Sequence, residues 1–149
     1  MALFLLFSCQ NKIVKEKTTD FNTGWSKDSI VSLKFKPADS LQTYDIYFLI
    51  RNDQNYPYSN IFVIAQIEND RQISTDTLEY AMADAQGNWL GSGIWDLKES
   101  KLVYKKNWHF KGHKPTMIKL RQAVRKAGNI KGDSILRGIK TVGIIIEKH

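Results

Sequence analysis

Apolar and polar residues alternate in one short segment after another from residue 31 onward, and this pattern most constrains the fold of the 149-residue chain. A period of two places the apolar side chains on one face of an extended strand. Seven segments show it: 31–35, 44–50, 61–67, 78–82, 102–110, 118–120 and 142–146. Turn-forming residues such as Pro37, Pro57 and Gly87 lie in the gaps, and no long amphipathic helix does. The pattern predicts an all-β antiparallel sandwich of about seven strands, either immunoglobulin-like or jelly-roll-like.

The segment 116–126 is ambiguous between strand and helix. Met117, Leu120 and Val124 keep a helical spacing, whereas Thr116 and Ile118 begin an alternation that also includes Leu120. A strand that runs into one short helical turn satisfies both patterns. We therefore expect at most one short helical turn in the chain.

The length predicts one domain, because a chain of this size buries roughly two thirds of its unfolded surface and needs no metal or disulfide to fold. The single cysteine excludes a disulfide scaffold, and no CxxC or Cys/His cluster indicates a zinc or redox site. Residues 10–20 are polar without apolar periodicity, which predicts a flexible tether. The sandwich domain is then expected over 21–149.

Residues 1–9 are an apolar run that ends in Ser8 and Cys9. This order is typical of a lipoprotein signal, in which a small residue precedes the thiol that accepts diacylglycerol. No basic residue precedes the run, so we interpret 1–9 as a truncated signal with Cys9 as the lipidation site. The alternative is a buried N-terminal strand with Cys9 in the core. No other stretch approaches the ~18 apolar residues of a membrane span.

The net charge of +7 is unevenly distributed along the chain. Residues 1–97 carry eight basic and twelve acidic side chains, whereas residues 98–149 carry fourteen basic and three acidic ones. A basic half suits an anionic partner such as nucleic acid, an acidic glycan or phospholipid. Because no RNA-binding aromatic motif, helix-turn-helix pattern or Arg-rich helix accompanies the charge, nucleic acid is not expected.

Few residues offer catalytic or metal-binding chemistry. His109 and His113 are four apart, but Gly112 and the turn context give their side chains no common aim. Asp76 and Glu79 point to opposite faces of a strand and do not form a facing pair. No GxSxG or SxxK motif occurs. We predict no metal, no cofactor and no enzymatic activity.

The glycine-rich segment 87–93 is the predicted partner-binding site. Trp89 lies between Gly87, Gly91 and Gly93, and three glycines in seven residues suggest a backbone that approaches another surface closely. Tyr56, in the loop before the third predicted strand, completes the candidate set. Two interpretations remain open: Trp89 binds a partner, or it plugs one end of the sandwich.

Several short motifs follow one another along the chain: Arg51-Asn52, Tyr56-Pro57, Asn60-Ile61-Phe62, Asp76-Thr77-Leu78-Glu79-Tyr80, 87–93, Gln122-Ala123-Val124-Arg125, Gly138-Ile139 and 142–148. In this order and spacing they resemble the GldH family of gliding motility lipoproteins. The resemblance covers about residues 20–148 and departs from the family only in its shortened signal. It implies an envelope lipoprotein without known enzymatic activity, in the outer membrane facing the periplasm. Its implied partners are other gliding or type 9 secretion proteins.

The four tryptophans support an alternative function, a glycan- or peptidoglycan-binding module. Sandwich domains bind sugars by stacking them on exposed aromatic rings. Two or more coplanar exposed rings would favour a sugar, whereas one apolar patch with a polar rim would favour a protein partner.

Overall fold

The computed structural model describes residues 12–111, 114–123 and 133–149, which form ten β-strands and no helix. In chain order the strands are β1 (Ile13–Asp20), β2 (Trp25–Ser26), β3 (Val31–Phe35), β4 (Tyr44–Asn52), β5 (Asn60–Glu68), β6 (Ile73–Ala81), β7 (Lys98–Trp108), β8 (Thr116–Gln122), β9 (Ile135–Leu136) and β10 (Ile139–Lys148). The predicted all-β class is confirmed, and each of the seven predicted segments overlaps a strand.

Two four-stranded antiparallel sheets make the sandwich. One has the order β1-β10-β4-β7 and the other β3-β8-β5-β6, while β2 and β9 form a separate short pair. Without that pair, the first strand pairs with the last, the second with the next to last, and so on inward to the β5–β6 hairpin. A long two-stranded ribbon that wraps into two facing sheets is a jelly roll. The topology therefore selects the jelly-roll alternative over the immunoglobulin-like one.

The core lies between the two sheets. In β5, Ile61, Val63 and Ala65 are completely buried, and the residues between them are partly exposed. Strands β4 and β10 are buried along most of their length because they occupy the two central positions of their sheet. Removing this much apolar surface from water is the main stabilising contribution to the fold.

Strand β1 corrects the prediction that 10–20 is a flexible tether. From Ile13 onward this segment pairs with β10 along its whole length. Almost all of its side chains are exposed because β1 is the outer strand of its sheet, so its sequence shows no alternation. Backbone hydrogen bonds rather than apolar burial hold it in place.

The ambiguous segment 116–126 is strand as far as Gln122, where β8 ends. Residues 124–132, where the helical turn was expected, lie outside the described residues.

The long strands run between two ends of the sandwich. We call one the tryptophan end; it comprises 21–30, 53–59, 82–97 and the described part of 123–138. We call the other the lysine end; it comprises Lys12, 36–43, 69–72, the described part of 109–115 and the C-terminal residues 148–149. The predicted contact residues Tyr56 and Trp89 lie at the tryptophan end.

Candidate interaction loop

The segment 82–97 joins β6 to β7 and contains four of the five predicted contact residues. It folds as two successive short hairpins: Ala83 pairs with Trp89, and Ser92 pairs with Glu99 at the start of β7. We call 82–97 the double-hairpin loop. Backbone pairing within the loop and with the start of β7 gives the loop a defined shape.

The carboxylate of Asp84 organises the first hairpin. Its Oδ1 accepts hydrogen bonds from the backbone N–H groups of Gln86 (2.9 Å) and Asn88 (2.8 Å), and its Oδ2 accepts one from the side-chain amide of Asn88 (3.0 Å). These bonds, led by that from the Asn88 side chain, hold the pKa of Asp84 below its usual range. Gly87 has φ of 85°, and a Cβ added there would have no atom within 4 Å. Backbone conformation alone therefore favours glycine at this position.

Trp89 is half-buried and packs against the core beside Tyr56. The two ring centroids are 6.2 Å apart, with an interplanar angle of 41°. Tyr56 is only 2% exposed, and its hydroxyl donates a hydrogen bond to the carbonyl oxygen of Asn60 (2.7 Å). Burial raises the pKa of Tyr56 far above its usual value. This geometry favours the interpretation in which Trp89 plugs the end of the sandwich.

Gly91 and Gly93 let the second hairpin close tightly. A Cβ on Gly91 would come within 2.8 Å of the Glu99 carbonyl oxygen and of Ser100 Oγ, and one on Gly93 within 2.3 Å of the Leu97 carbonyl oxygen. The close approach predicted for these glycines therefore occurs within the chain itself.

Apolar side chains stand in solvent at the tip of the second hairpin. Trp95 is 89% exposed and Ile94 78%; Leu97 in the same hairpin is also exposed, as is Leu90 just before it in the chain. Trp95 also has φ of 64°, a left-handed conformation that costs a non-glycine residue about 1 kcal/mol. We call Leu90, Ile94, Trp95 and Leu97 the apolar tip. An exposed apolar cluster on a strained backbone is unusual for a loop that only connects two strands.

Polar contacts fix the base of this tip. Arg51 Nε donates to Glu99 Oε2 at 2.6 Å, and Lys98 Nζ donates to the Gly93 carbonyl oxygen at 3.0 Å. Asp96 is the one charged residue between Leu90 and Leu97. The tip therefore presents apolar surface with a charged rim.

Trp89, the tryptophan predicted as a contact, is half-buried, whereas Trp95 in the same loop is exposed. A signal for Trp95 was present, because Ile94, Trp95 and Leu97 follow Gly93 in a segment too short for a strand. In the structure all three side chains are exposed.

His109 and Asp76, considered above for metal binding and catalysis, each contact other residues of the fold. His109 contacts the carbonyl oxygen of Ser40, and His113 lies outside the described residues. Asp76 accepts hydrogen bonds from Lys105 Nζ (3.0 Å) and the Tyr104 hydroxyl (2.9 Å), which lower the pKa of its carboxyl group. These bonds link the edge strands β6 and β7. In the part of the chain that the structure describes, no three His, Cys, Asp or Glu side chains lie close enough to hold a metal ion.

The number of exposed aromatic rings helps to distinguish a sugar ligand from a protein partner. Across 12–111, 114–123 and 133–149, Trp95 is the one exposed aromatic side chain; Trp89 and Trp108 are half-buried and Trp25 is completely buried. No pair of coplanar exposed rings is therefore available in these ranges. A single apolar patch with a charged rim favours a protein partner.

Comparisons with known proteins identify close relatives. The model of the family described as GldH lipoprotein matches residues 13–146. "Gliding motility lipoprotein GldH" of Flavobacterium johnsoniae is 42% identical, with 99% of this chain and 92% of the relative covered. "Gliding motility lipoprotein GldH homolog" of Christiangramia forsetii is 40% identical, with 98% and 90% covered. Among solved structures, an infectious bursal disease virus VP2 subviral particle gives a TM-score of 0.18 at 12% identity over 91% of this chain and 42% of that one, too low to support an argument.

Proposed function

This chain belongs to the GldH lipoprotein family, and from that premise we propose that it supports gliding motility and the type 9 secretion apparatus as a non-enzymatic envelope lipoprotein that contacts other envelope proteins. The relatives' names support the roles in motility and lipid anchoring. The apolar tip is the observation that carries the proposal of protein contacts.

In this proposal, a lipid on Cys9 anchors the protein in the outer membrane, and the protein faces the periplasm. Residues 1–11 lie outside the described residues, so the argument rests on the Ser8-Cys9 motif and the family. A fatty-acid analogue should label the wild-type precursor in cells but not Cys9→Ser. Equal labelling of both proteins would remove the anchor from the proposal.

The apolar tip suits a protein contact because interface energy concentrates in a few aromatic side chains. The Trp95 indole offers a large surface with few rotatable bonds, and the Arg51–Glu99 pair and the two tight glycines hold its hairpin in one shape. A preformed hairpin loses little conformational entropy when it binds. Trp95 is therefore the principal contact residue of the proposal, with Leu90, Ile94 and Leu97 around it.

Four aspartates of this fold take part in hydrogen-bond networks that shift their pKa values. Among the described residues, each aspartate whose pKa is shifted has a lowered pKa. Hydrogen bonds from lysines, amides or hydroxyls outweigh the effect of burial, which by itself would raise the pKa. These residues are Asp45, Asp53, Asp76 and Asp84. Such carboxylates serve as hydrogen-bond acceptors and ion-pair partners rather than proton donors.

Trp95→Ala tests the proposed contact. Val103→Ala is the matched control, because Val103 is an exposed apolar residue (50%) in the middle of β7, away from both ends of the sandwich. We expect both variants to melt near the wild-type temperature. Trp95→Ala should abolish gliding and lose the cross-links that the wild type forms with envelope proteins, whereas Val103→Ala should keep both. Normal motility and cross-linking in Trp95→Ala would contradict the proposal.

One cavity favours the alternative function of glycan or peptidoglycan binding. It lies at the lysine end, has a volume of about 190 Å³, and is lined by Trp108, Asn69 and Gln72 among others. A half-buried indole beside side-chain amides can stack on a sugar ring and hydrogen-bond its hydroxyl groups. Calorimetric titration with soluble peptidoglycan fragments tests this function. Binding that Trp108→Ala abolishes would support the glycan module, and the absence of binding would leave protein contact as the function.

A further inference from the structure

We propose that the lysine end lies against the membrane and binds anionic phospholipid headgroups through its exposed basic side chains. This inference rests on the proposed lipidation of Cys9 and adds a second, electrostatic membrane contact to it. The side chains that carry it are Lys12, Lys36, Arg71, Lys111, Lys114 and Lys148.

The N-terminal side of the domain is fixed at the lysine end. Ile13 pairs with Glu147, and the backbone N–H of Lys148 donates a hydrogen bond to the carbonyl oxygen of Lys12 (2.9 Å). Lys12 therefore lies at the same end as 36–43, 69–72 and the C-terminus.

The chain between Cys9 and this end is short. Lys12 is the third residue after Cys9. A fully extended chain covers about 3.5 Å per residue, or about 10 Å over these three steps. A diacylglycerol group on Cys9 would thus hold the lysine end within about 10 Å of the headgroups. That distance is comparable to the Debye length at physiological salt, so exposed charges at this end would feel the membrane surface.

The six basic side chains of the lysine end are exposed, and none of them forms an ion pair with another described residue. Most carboxylates near this end are already paired. Asp45 contacts Lys106 and His149, Glu68 contacts Lys119, and Glu147 contacts Lys101. Asp39 and Asp70 remain as the acidic residues of its connecting segments. The surface that faces outward from this end is therefore basic.

The tryptophan end lacks this excess of positive charge. By sequence its segments 21–30, 53–59, 82–97 and 123–138 carry five acidic and five basic residues. The lysine end carries six basic and two acidic residues in Lys12, 36–43, 69–72, 109–115 and 148–149. An anionic bilayer would therefore attract the lysine end more strongly than the tryptophan end. The lipid anchor imposes the same orientation.

A membrane fits this surface better than an acidic protein because the anchor places headgroups beside it. Each Lys or Arg near an anionic bilayer raises affinity by about fivefold. In this orientation the apolar tip points away from the bilayer, about 30 Å distant by the length of β10 at about 3.3 Å per residue. The tip would then be free to meet a partner.

Vesicle flotation tests the proposal independently of lipidation and motility. The mature chain from residue 9 is produced with Cys9→Ser, so that no acyl chain contributes, and mixed with vesicles of phosphatidylcholine alone or of an equimolar mixture with phosphatidylglycerol. We expect binding only to the anionic vesicles, and release when the ionic strength is raised from about 0.05 to about 0.5 M. Equal flotation with both vesicle types, or with neither, would overturn the proposal.

Two triple variants locate the binding surface. Lys36→Glu/Lys111→Glu/Lys114→Glu should weaken binding to anionic vesicles by about tenfold or more. Lys27→Glu/Arg121→Glu/Arg137→Glu is the control, because it makes the same change in net charge at exposed residues at or near the tryptophan end. The control should bind within about threefold of the wild type. An equal loss in both variants would show that net charge alone drives binding and would overturn the proposal. A failure of fatty-acid labelling at Cys9 would instead refute the anchor while leaving the flotation result intact.

Discussion

Rings close both ends of the sandwich, but the lysine end adds a charged network on the outside of its sheet. At the tryptophan end, rings and tight turns fit by shape: Trp25 is completely buried, Trp89 packs beside Tyr56, and Gly138 lies against the Tyr56 backbone.

At the lysine end, the buried rings of Phe35, Tyr44 and Phe110 pack edge to face with one another. Asp45 lies between Tyr44 and Ile46, which point into the core, so its side chain is on the outer face of the sheet. There its Oδ1 accepts a hydrogen bond from the backbone N–H of Asn107 (2.9 Å). The comparison shows that ring packing closes this jelly roll at both ends and that ionic contacts reinforce one of them.

The largest effect is expected from Gly138→Ala, which breaks the shape-based closure. A Cβ there would lie 2.1 Å from the backbone nitrogen of Tyr56, and the φ of 81° disfavours any other residue. We expect a loss of about 3 kcal/mol or more in the free energy of unfolding, measured by urea denaturation. Gly87→Ala is the control, because φ is 85° there but nothing lies near its Cβ. It should cost only about 1 kcal/mol; equal losses would show that no close fit exists at Gly138.

Trp89→Ala tests the aromatic part of the same closure. Removing a half-buried indole from its contact with Tyr56 should cost about 2 kcal/mol, less than the loss for a fully buried tryptophan. The loss should stay constant between pH 7 and pH 3, because the pKa of Tyr56, the other ring of this contact, is raised by burial and lies far above that range. Wild-type stability in this variant would show that the indole does not plug the end of the sandwich.

Asp45→Asn tests the charged network at the lysine end. Burial by itself would raise the pKa of Asp45, but hydrogen bonds from Lys106, Asn107 and His149 outweigh it and hold the pKa well below the usual range. A lowered pKa means that the carboxylate stabilises the fold above about pH 4 and that this contribution is lost as the pH falls further. We expect the variant to be about 2 kcal/mol less stable at pH 7. The difference should shrink below about pH 4, and a constant difference would contradict the role of charge.

The smallest effect on stability is expected from Trp95→Ala. Its side chain is 89% exposed, so the change in the free energy of unfolding should stay within about 0.5 kcal/mol. Differential scanning calorimetry of Trp95→Ala and Trp89→Ala measures how much each of the two tryptophans of this loop contributes to stability. A large loss for Trp95→Ala would mean that the indole packs against the protein in solution, which would remove the basis for the proposed contact.

The sequence predicted the central strands well because their apolar residues alternate. In β5, for example, every second residue from Ile61 to Ile67 is buried, and the spacing alone reveals this. Strand β1 escaped the prediction because its cohesion comes from main-chain bonds to β10, which have no signature in side-chain polarity. The two-residue strands β2 and β9 are too short to show any period.

The candidate site was predicted less completely than the fold. Glycine content located the double-hairpin loop, but burial separates Trp89 from Trp95, and burial depends on residues distant in the chain such as Tyr56. The closing contacts of Gly138 and Asp45 are likewise long-range: Gly138 meets Tyr56, and Asp45 meets Lys106 and His149. Spacing along a sequence does not report such pairings.

The pairing of the first strand with the last also affects how the domain can fold. Strand β10 lies between β1 and β4, so neither strand has its full set of neighbours until residues 139–148 are available. Folds dominated by such distant pairings have a high contact order and fold slowly. A chain that emerges N-terminus first would therefore remain open until its final residues arrive. Truncation before residue 139 should leave two β-edges exposed at once and yield an aggregating product rather than a smaller domain.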